Sequence, residues 1–356
     1  NASVFQPPVD ASGPFGYLAE KASTNLALYS QDFNTTWALQ DATVVADVAV
    51  APDGTTTMDR LVVAATNSIH NAYRTAAIAF SDYTASVYMK DDGAGYGGIC
   101  FGAGGNSISV IVDLSTGLVT DTELGGTSGT IVATGCEDVG NGIYRVWISG
   151  SIATLTGYVI PFASNAAVAS SWAGGRPSYL GVLGEDILIW GAQLELGTYP
   201  TSYIPTTTTA VTRNADILIA GDMVTDAEGT AYAEASSIWS TASGSYALAR
   251  DLSGRIIFNS TSPATVVFSY DGTNSTSTAA GVSYQNRPAP VASTWGDNLR
   301  TYKDGAGGVP AAYDGTMGTG NLGIGNINNT GNQWDGTIRE VKIFDSELTA
   351  EEVGDL

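Results

Sequence analysis

Short stretches of alternating apolar and polar residues run along this chain, and almost none keep the three- to four-residue spacing of a helix. Thr43–Val50, parts of Ala77–Met89, Ile108–Val112 and Ile143–Ile148 are β-branched or aromatic and often alternate, which predicts strands with one buried face. Asp53-Gly54, Asp92-Gly93, Asn141-Gly142, Asp271-Gly272, Asp304-Gly305, Asp314-Gly315 and Asp335-Gly336 punctuate the chain. Such pairs supply the positive backbone dihedrals of tight hairpins. The expected fold class is all-β, as two tandem antiparallel β-sandwiches of the jelly-roll kind. One helical signal stands out: Thr349 followed by Ala-Glu-Glu-Val353, a capped single turn whose acids face the positive end of the dipole.

Pro7-Pro8 and Gly13-Pro14 oppose regular structure, so residues 1–23 read as an extended lead-in. The alternating stretch from Trp190 passes through turns at Pro200 and Pro205 into the threonine run 206–209. A domain is expected to close there, giving a first sandwich over 24–212 and a second over 213–356. A length of 356 residues suits two such domains. Both end on an alternating strand leading to an acidic turn, at Gly184–Glu195 and Gly336–Leu348.

Charge narrows the partners. Fourteen basic residues face 35 acidic ones, a formal charge of −21. A nucleic-acid partner is excluded by the lack of a basic face, and anionic membranes would repel the chain. No run of about 20 apolar residues exists to insert into a bilayer. Cys100 and Cys136 are the only cysteines. They leave a disulfide or two free thiols open, and are too few for a thiolate metal site.

Several segments in order resemble a carbohydrate-binding-module-like β-sandwich of bacteriophage tail-fibre and other virion proteins. These are Thr24–Phe33 with Trp37, Ala51–Leu61, Ser86–Lys90, Gly140–Trp147, and above all Trp190-Gly-Ala-Gln-Leu-Glu195 with Pro200-Thr-Ser-Tyr-Ile-Pro-Thr206. The stretch from Asp335-Gly336 to Glu352 resembles the end of a concanavalin-A-like or laminin-G-like domain. The resemblance implies a lectin-like protein on the virion surface, extracellular after lysis, that adheres to a host-cell glycan or polysaccharide. It also implies contacts with other virion proteins and, by analogy with fibres, a homotrimer. In modules of this type a structural Ca²⁺ often ties the first and last strands. Asp32, Gln193 and Glu195 lie on the corresponding segments.

Sugar-binding sandwiches stack an aromatic side chain on the apolar face of a pyranose and hydrogen-bond its hydroxyls with amides, acids or arginines. Candidates for that work are His70, Tyr73, Arg74, Tyr96, Trp172, Arg176 and Tyr179. As a strand, Ser68–Ala77 would put His70 and Arg74 on one face and Tyr73 on the other. Trp172 and Arg176 share a loop-like stretch, Ser-Ser-Trp-Ala-Gly-Gly-Arg-Pro. Trp37, Trp147 and Trp190 lie in or beside strand patterns and read as core. In the second domain Trp239, Tyr246, Arg250, Tyr284, Asn286, Arg287, Trp295 and Trp334 are the aromatic and polar stock, without one favoured group.

Catalysis is the weaker reading. No Glu-x-Asp-x-x-Glu string and no Gly-x-Ser-x-Gly elbow is present. A polysaccharide lyase or depolymerase would use His70 with Arg60 or Arg74 and Tyr88 or Tyr96. A third class is a structural capsid or tail decoration protein that buries its aromatics or turns them to other virion proteins.

Overall fold

The computed structural model describes residues 16–103, 105–153, 155–221, 223–237, 245–259, 267–278, 289–326, 333–334 and 336–356. The chain is all-β. Every ladder between strands among the described residues is antiparallel, and the chain divides into two units.

The first unit holds residues 23–213. Its main strands are β1 (Ala38–Gln40), β2 (Ala42–Val50), β3 (Thr56–Val63), β4 (Asn71–Ala77), β5 (Tyr83–Asp92), β6 (Tyr96–Ala103), β7 (Asn106–Asp113), β8 (Leu118–Gly125), β9 (Gly129–Asp138), β10 (Ile143–Ile152), β11 (Thr156–Ser164) and β12 (Asp186–Leu196). They form two six-stranded sheets. Sheet A runs β8-β7-β6-β11-β4-β1, and sheet B runs β9-β10-β5-β12-β3-β2. Alternation aims Phe101, Ile108, Val110 and Val159 of sheet A, and Val87, Met89, Val146, Ile148, Ile187 and Ile189 of sheet B, into one shared core. The Asn141-Gly142 hairpin expected from sequence is present, with φ of 56° and 70° at those two residues.

The second unit holds Asn214–Leu356 together with described residues 16–22. The expected lead-in is therefore partly a strand: Tyr17–Ala19 pairs with Gly336–Ile338 at one edge of a six-stranded sheet. A second six-stranded sheet spans segments from Leu218–Ile219 to Ser275–Ser277. Between them Trp295, Trp334, Leu299, Met317 and Ile256 build the core. Trp295 Nε1 donates to the Thr225 carbonyl at 2.8 Å, so the indole is buried with its polar atom satisfied. The closing helix Ala350–Gly354 carries a capping box between Thr349 and Glu352. Trp239, Tyr284, Asn286 and Arg287, and the side chain of Tyr246, lie outside the described residues.

Candidate functional site

Each sheet of the first unit has an outer face as well as a core face, and both outer faces carry aromatic residues. On sheet B, Trp190 and Tyr88 stand opposite one another across β12 and β5, with ring centroids 5.3 Å apart. The Trp190-Gly-Ala-Gln-Leu-Glu195 segment bulges between Trp190 and Gln193, with Gly191 at φ 63°. The bulge shifts the alternation, so Ala192 and Leu194 enter the core while Trp190 packs outside it with Tyr88, Met58 and Leu188. Trp190 is buried as expected, but by a different route. The segment 199–206 folds over it, and Tyr203 lies 4.6 Å from the indole. Burial pushes the Tyr203 phenol well above its usual range.

That covering segment is clasped by polar groups. The fully buried Glu195 carboxylate accepts from Ser23 Oγ at 2.5 Å, Gln193 Nε2 at 2.6 Å, Thr201 N at 2.8 Å and Thr201 Oγ1 at 2.7 Å. Gln193 Oε1 accepts from Ile204 N at 2.8 Å. Asn25 Nδ2 donates to the carbonyls of Ala192 and Ile204, and its Oδ1 accepts from Leu194 N. The first and last strands are thus tied by hydrogen bonds. Calcium needs six to eight oxygens turned toward it, whereas Gln193 and Glu195 are ringed by N–H and O–H donors. Asp32 is engaged by Asn34 N, Thr35 N and Thr35 Oγ1 in a turn of its own. These three residues do not fit the ion.

Sheet A is different. Its outer face carries Tyr73 on β4, Tyr158, Ile160 and Phe162 on β11, Tyr96 and Cys100 on β6, and Ile111 on β7. Gly98 lies directly opposite Phe162, and a Cβ there would come within 2.5 Å of the ring. The strand must therefore be bare at that point. A small hairpin, Trp172–Ala173 paired with Arg176–Pro177, rests on this face. Trp172 meets Phe162 edge-on at 6.5 Å. Gly175, at φ 81°, sits so close that a Cβ would lie 2.5 Å from Ser107 Oγ, and its carbonyl accepts from Ser109 Oγ at 2.6 Å.

Beside the hairpin a groove of about 340 Å³ stays open, lined by Gln40, Tyr73, Asn106, Tyr158, Ile160 and Arg176, with glycines 102, 105 and 174. Tyr73 and Tyr158 form one wall, their rings 5.9 Å apart and inclined at 59°. Arg176 forms the other. Its Nε is buried with no hydrogen-bond partner, and no described acid forms an ion pair with it. Asn71, next to Gln40 across the β4–β1 ladder, is fully buried with neither amide atom bonded. Ser107 Oγ, under the hairpin, also lacks a partner. Unmet polar atoms at a buried face each cost on the order of 1–3 kcal/mol; of these three residues Arg176 lines the groove, while Asn71 and Ser107 neighbour its lining residues Gln40 and Asn106. A larger hollow of about 520 Å³ lies at Phe80, Ser128, Thr130 and Ile152. It offers one ring and no basic group, so it lacks the chemistry of the sheet A groove.

Of the seven residues expected from sequence to contact sugar, Tyr73 and Arg176 line the groove. Trp172 and Tyr96 belong to the same aromatic layer but outside the opening. Arg74 points to the other face, as alternation requires, donating to the Thr36 carbonyl at 2.8 Å and lying over Tyr29. His70 and Tyr179 are corrections, at 0% and 7% exposure. Their rings pack edge to face at 4.8 Å, and His70 Nδ1 bonds the Asp41 carbonyl at 2.7 Å. They pin the Tyr179–Leu180 segment to the start of β4 and are buried there. The lyase set is dispersed for the same reason: Tyr88 is sealed under Trp190, and Arg60 pairs with Asp92 at 2.5 Å. Tyr158, Gln40 and Asn106 were not anticipated. Around Tyr158 the run Tyr-Val-Ile-Pro-Phe-Ala is almost wholly apolar, so periodicity gives no sign of which side faces out.

Cys100 and Cys136 are both free thiols. One lies on the outer face of sheet A, and the other packs against the core from β9.

No protein-family model and no curated protein matches the chain. Among solved structures it is similar to the LG1–3 region of the laminin α2 chain, at 11% identity and a TM-score of 0.25, covering 80% of this chain and 66% of that one. Domains LG4–5 of the mouse laminin α1 chain give 8% identity and a TM-score of 0.25, covering 95% and 92%. Likeness at this level is one of all-β character and carries nothing about a ligand.

Proposed function

We propose that the first unit is a non-catalytic glycan-binding module that receives a sugar in the sheet A groove. The observation that carries this reading is the open Tyr73–Tyr158 wall facing amides and a guanidinium across a space of about 340 Å³. That volume lies at the low end of small-molecule sites, large enough for one or two sugar rings. The two rings offer an apolar surface for the C–H face of a pyranose, while Gln40, Asn106 and Arg176 can reach its hydroxyls. Affinity at one groove is expected to be weak, since a shallow platform buries little area against the cost of immobilising the sugar. Several copies on one particle would raise it by avidity. The resemblance of residues 24–216 to the phage module supports a virion surface as the setting and a host-cell glycan as the target. A glycan array probed with the full chain, beside its Tyr73→Ala and Tyr158→Ala variants, tests this. Binding that both variants abolish supports it. An array without signal favours the decoration-protein reading, for which the burial of His70 and Tyr179 speaks.

A further inference from the structure

We infer that the groove selects an acidic sugar, a uronate or other carboxylated pyranoside, and that Arg176 reads its carboxylate. This rests on the glycan-binding reading above and narrows it. Acids outnumber bases 35 to 14 in this chain, and several of its basic side chains are paired with one. Arg60 pairs with Asp92, Arg250 with Asp226 at 3.0 Å, Arg339 with Glu234 at 3.3 Å and Lys342 with Glu340 at 3.3 Å. Arg74 has no acid partner either, but it donates to the Thr36 carbonyl and lies over Tyr29, whereas Arg176 is half-buried in a groove wall with no acid partner among the described residues.

A guanidinium presents a planar fork of donors whose best complement is a carboxylate, bound through two parallel N–H···O contacts. Neutral hydroxyls would satisfy the same donors one at a time and leave the desolvated charge uncompensated. The groove's other polar groups, Gln40 and Asn106, are uncharged and suit hydroxyls. Opposing this, the net charge of −21 repels any anion. At physiological ionic strength that field decays over about 8 Å, while a carboxylate seated on Arg176 would be at contact distance. The local pair therefore decides.

The test is an array printed in matched pairs, each uronate- or sialate-terminated oligosaccharide beside its carboxyl methyl ester, probed with the full chain. Free acids are expected to bind at least about tenfold better than their esters. Arg176→Met should remove that difference while leaving weak binding to both members, and Arg176→Lys should keep part of it. Arg176→Lys also preserves the charge and the aliphatic stem, so the test survives if the Met variant fails to fold. Equal binding of acid and ester, both lost in Tyr158→Ala, overturns the acidic preference and leaves the glycan site standing. Acid-selective binding that survives both Arg176→Met and Tyr158→Ala overturns it too, by placing the site elsewhere. Binding to neither member overturns both readings.

Discussion

Both sheets of the first unit turn aromatic side chains away from the shared core, and in each case a Pro-containing segment lies across them. On sheet B the cover, residues 199–206, is held by Glu195, Gln193 and Asn25 through buried hydrogen bonds, and Trp190 beneath it is 1% exposed. On sheet A the cover is a two-rung hairpin whose tip is anchored by Ser109 Oγ on the Gly175 carbonyl and by the Trp172–Phe162 contact. It spans only part of the face and leaves Tyr73 and Tyr158 beside an open groove. The residue types are alike. What differs is the polar anchoring of the lid, and that difference separates sealed rings from rings left beside an open groove.

The largest test of this contrast is Glu195→Ala. It strips the acceptor from Ser23, Gln193 and both donors of Thr201 at once in a fully buried place. Breaking a buried network of this kind costs roughly 3–5 kcal/mol. Urea denaturation of the full chain should show the first unit's transition moved by that amount, with Glu195→Gln losing less. A loss below about 1 kcal/mol would mean that the cover is held mainly by Tyr203 packing on Trp190.

Trp190→Ala and Tyr158→Ala form the direct comparison. The first empties a sealed aromatic cluster and should cost about 3–5 kcal/mol, without altering glycan binding by the folded fraction. The second removes a half-buried ring from the groove wall. It should cost about 1 kcal/mol of stability but reduce array binding at least about tenfold, equivalent to 1.4 kcal/mol. Equal stability losses with unchanged binding would erase the distinction between the two faces.

The strands and several turns were legible in the sequence because alternation and Asn-Gly chemistry are local. Ile143–Ile148 and Ile108–Val112 fall inside β10 and β7, and Asn141-Gly142 takes the dihedrals its composition demands. The site was only half legible. Tyr73 and Arg74 separate to opposite faces as a period of two requires, and Arg176 comes from a loop composition that marks exposure. His70 and Tyr179 could not be placed, because their burial depends on a contact between residues more than 100 positions apart. The residues after Trp190 show a subtler failure. The bulge at Gly191 turns Ala192 and Leu194 into the core, where alternation from Ile187 and Ile189 would turn them out, and no residue count reveals it.

Gly175→Val probes the looser lid. The substitution puts a β-branched side chain at a positive φ and against Ser107 Oγ and Cys100 Sγ, 2.5 and 2.9 Å from the added Cβ. A cost of about 1–3 kcal/mol is expected. The hairpin should lift, with the Trp172 fluorescence shifting toward that of exposed indole.

The last test is a rate, and it reports on the same lid. Cys100 lies beneath the hairpin tip, and burial pushes its thiol up to about 11, with Ser109 and the Arg176 charge pulling the other way. Such a thiol favours folding while neutral: that contribution is complete below the ordinary thiol range and is lost as pH rises through about 11. At pH 8 its thiolate fraction is roughly 100-fold below that of an ordinary thiol. Labelling of Cys100 by a disulfide reagent should therefore be at least that much slower in the folded chain than in urea. Cys136, pushed up to about 12 by burial and by the charges of Glu137 and Asp138, should also be slow. Lifting the lid with Gly175→Val should speed Cys100 alone, since Cys136 packs against the core instead. Should Cys100 in the unaltered chain react as fast as in urea, the hairpin does not rest on sheet A, and the groove loses the wall that carries Arg176.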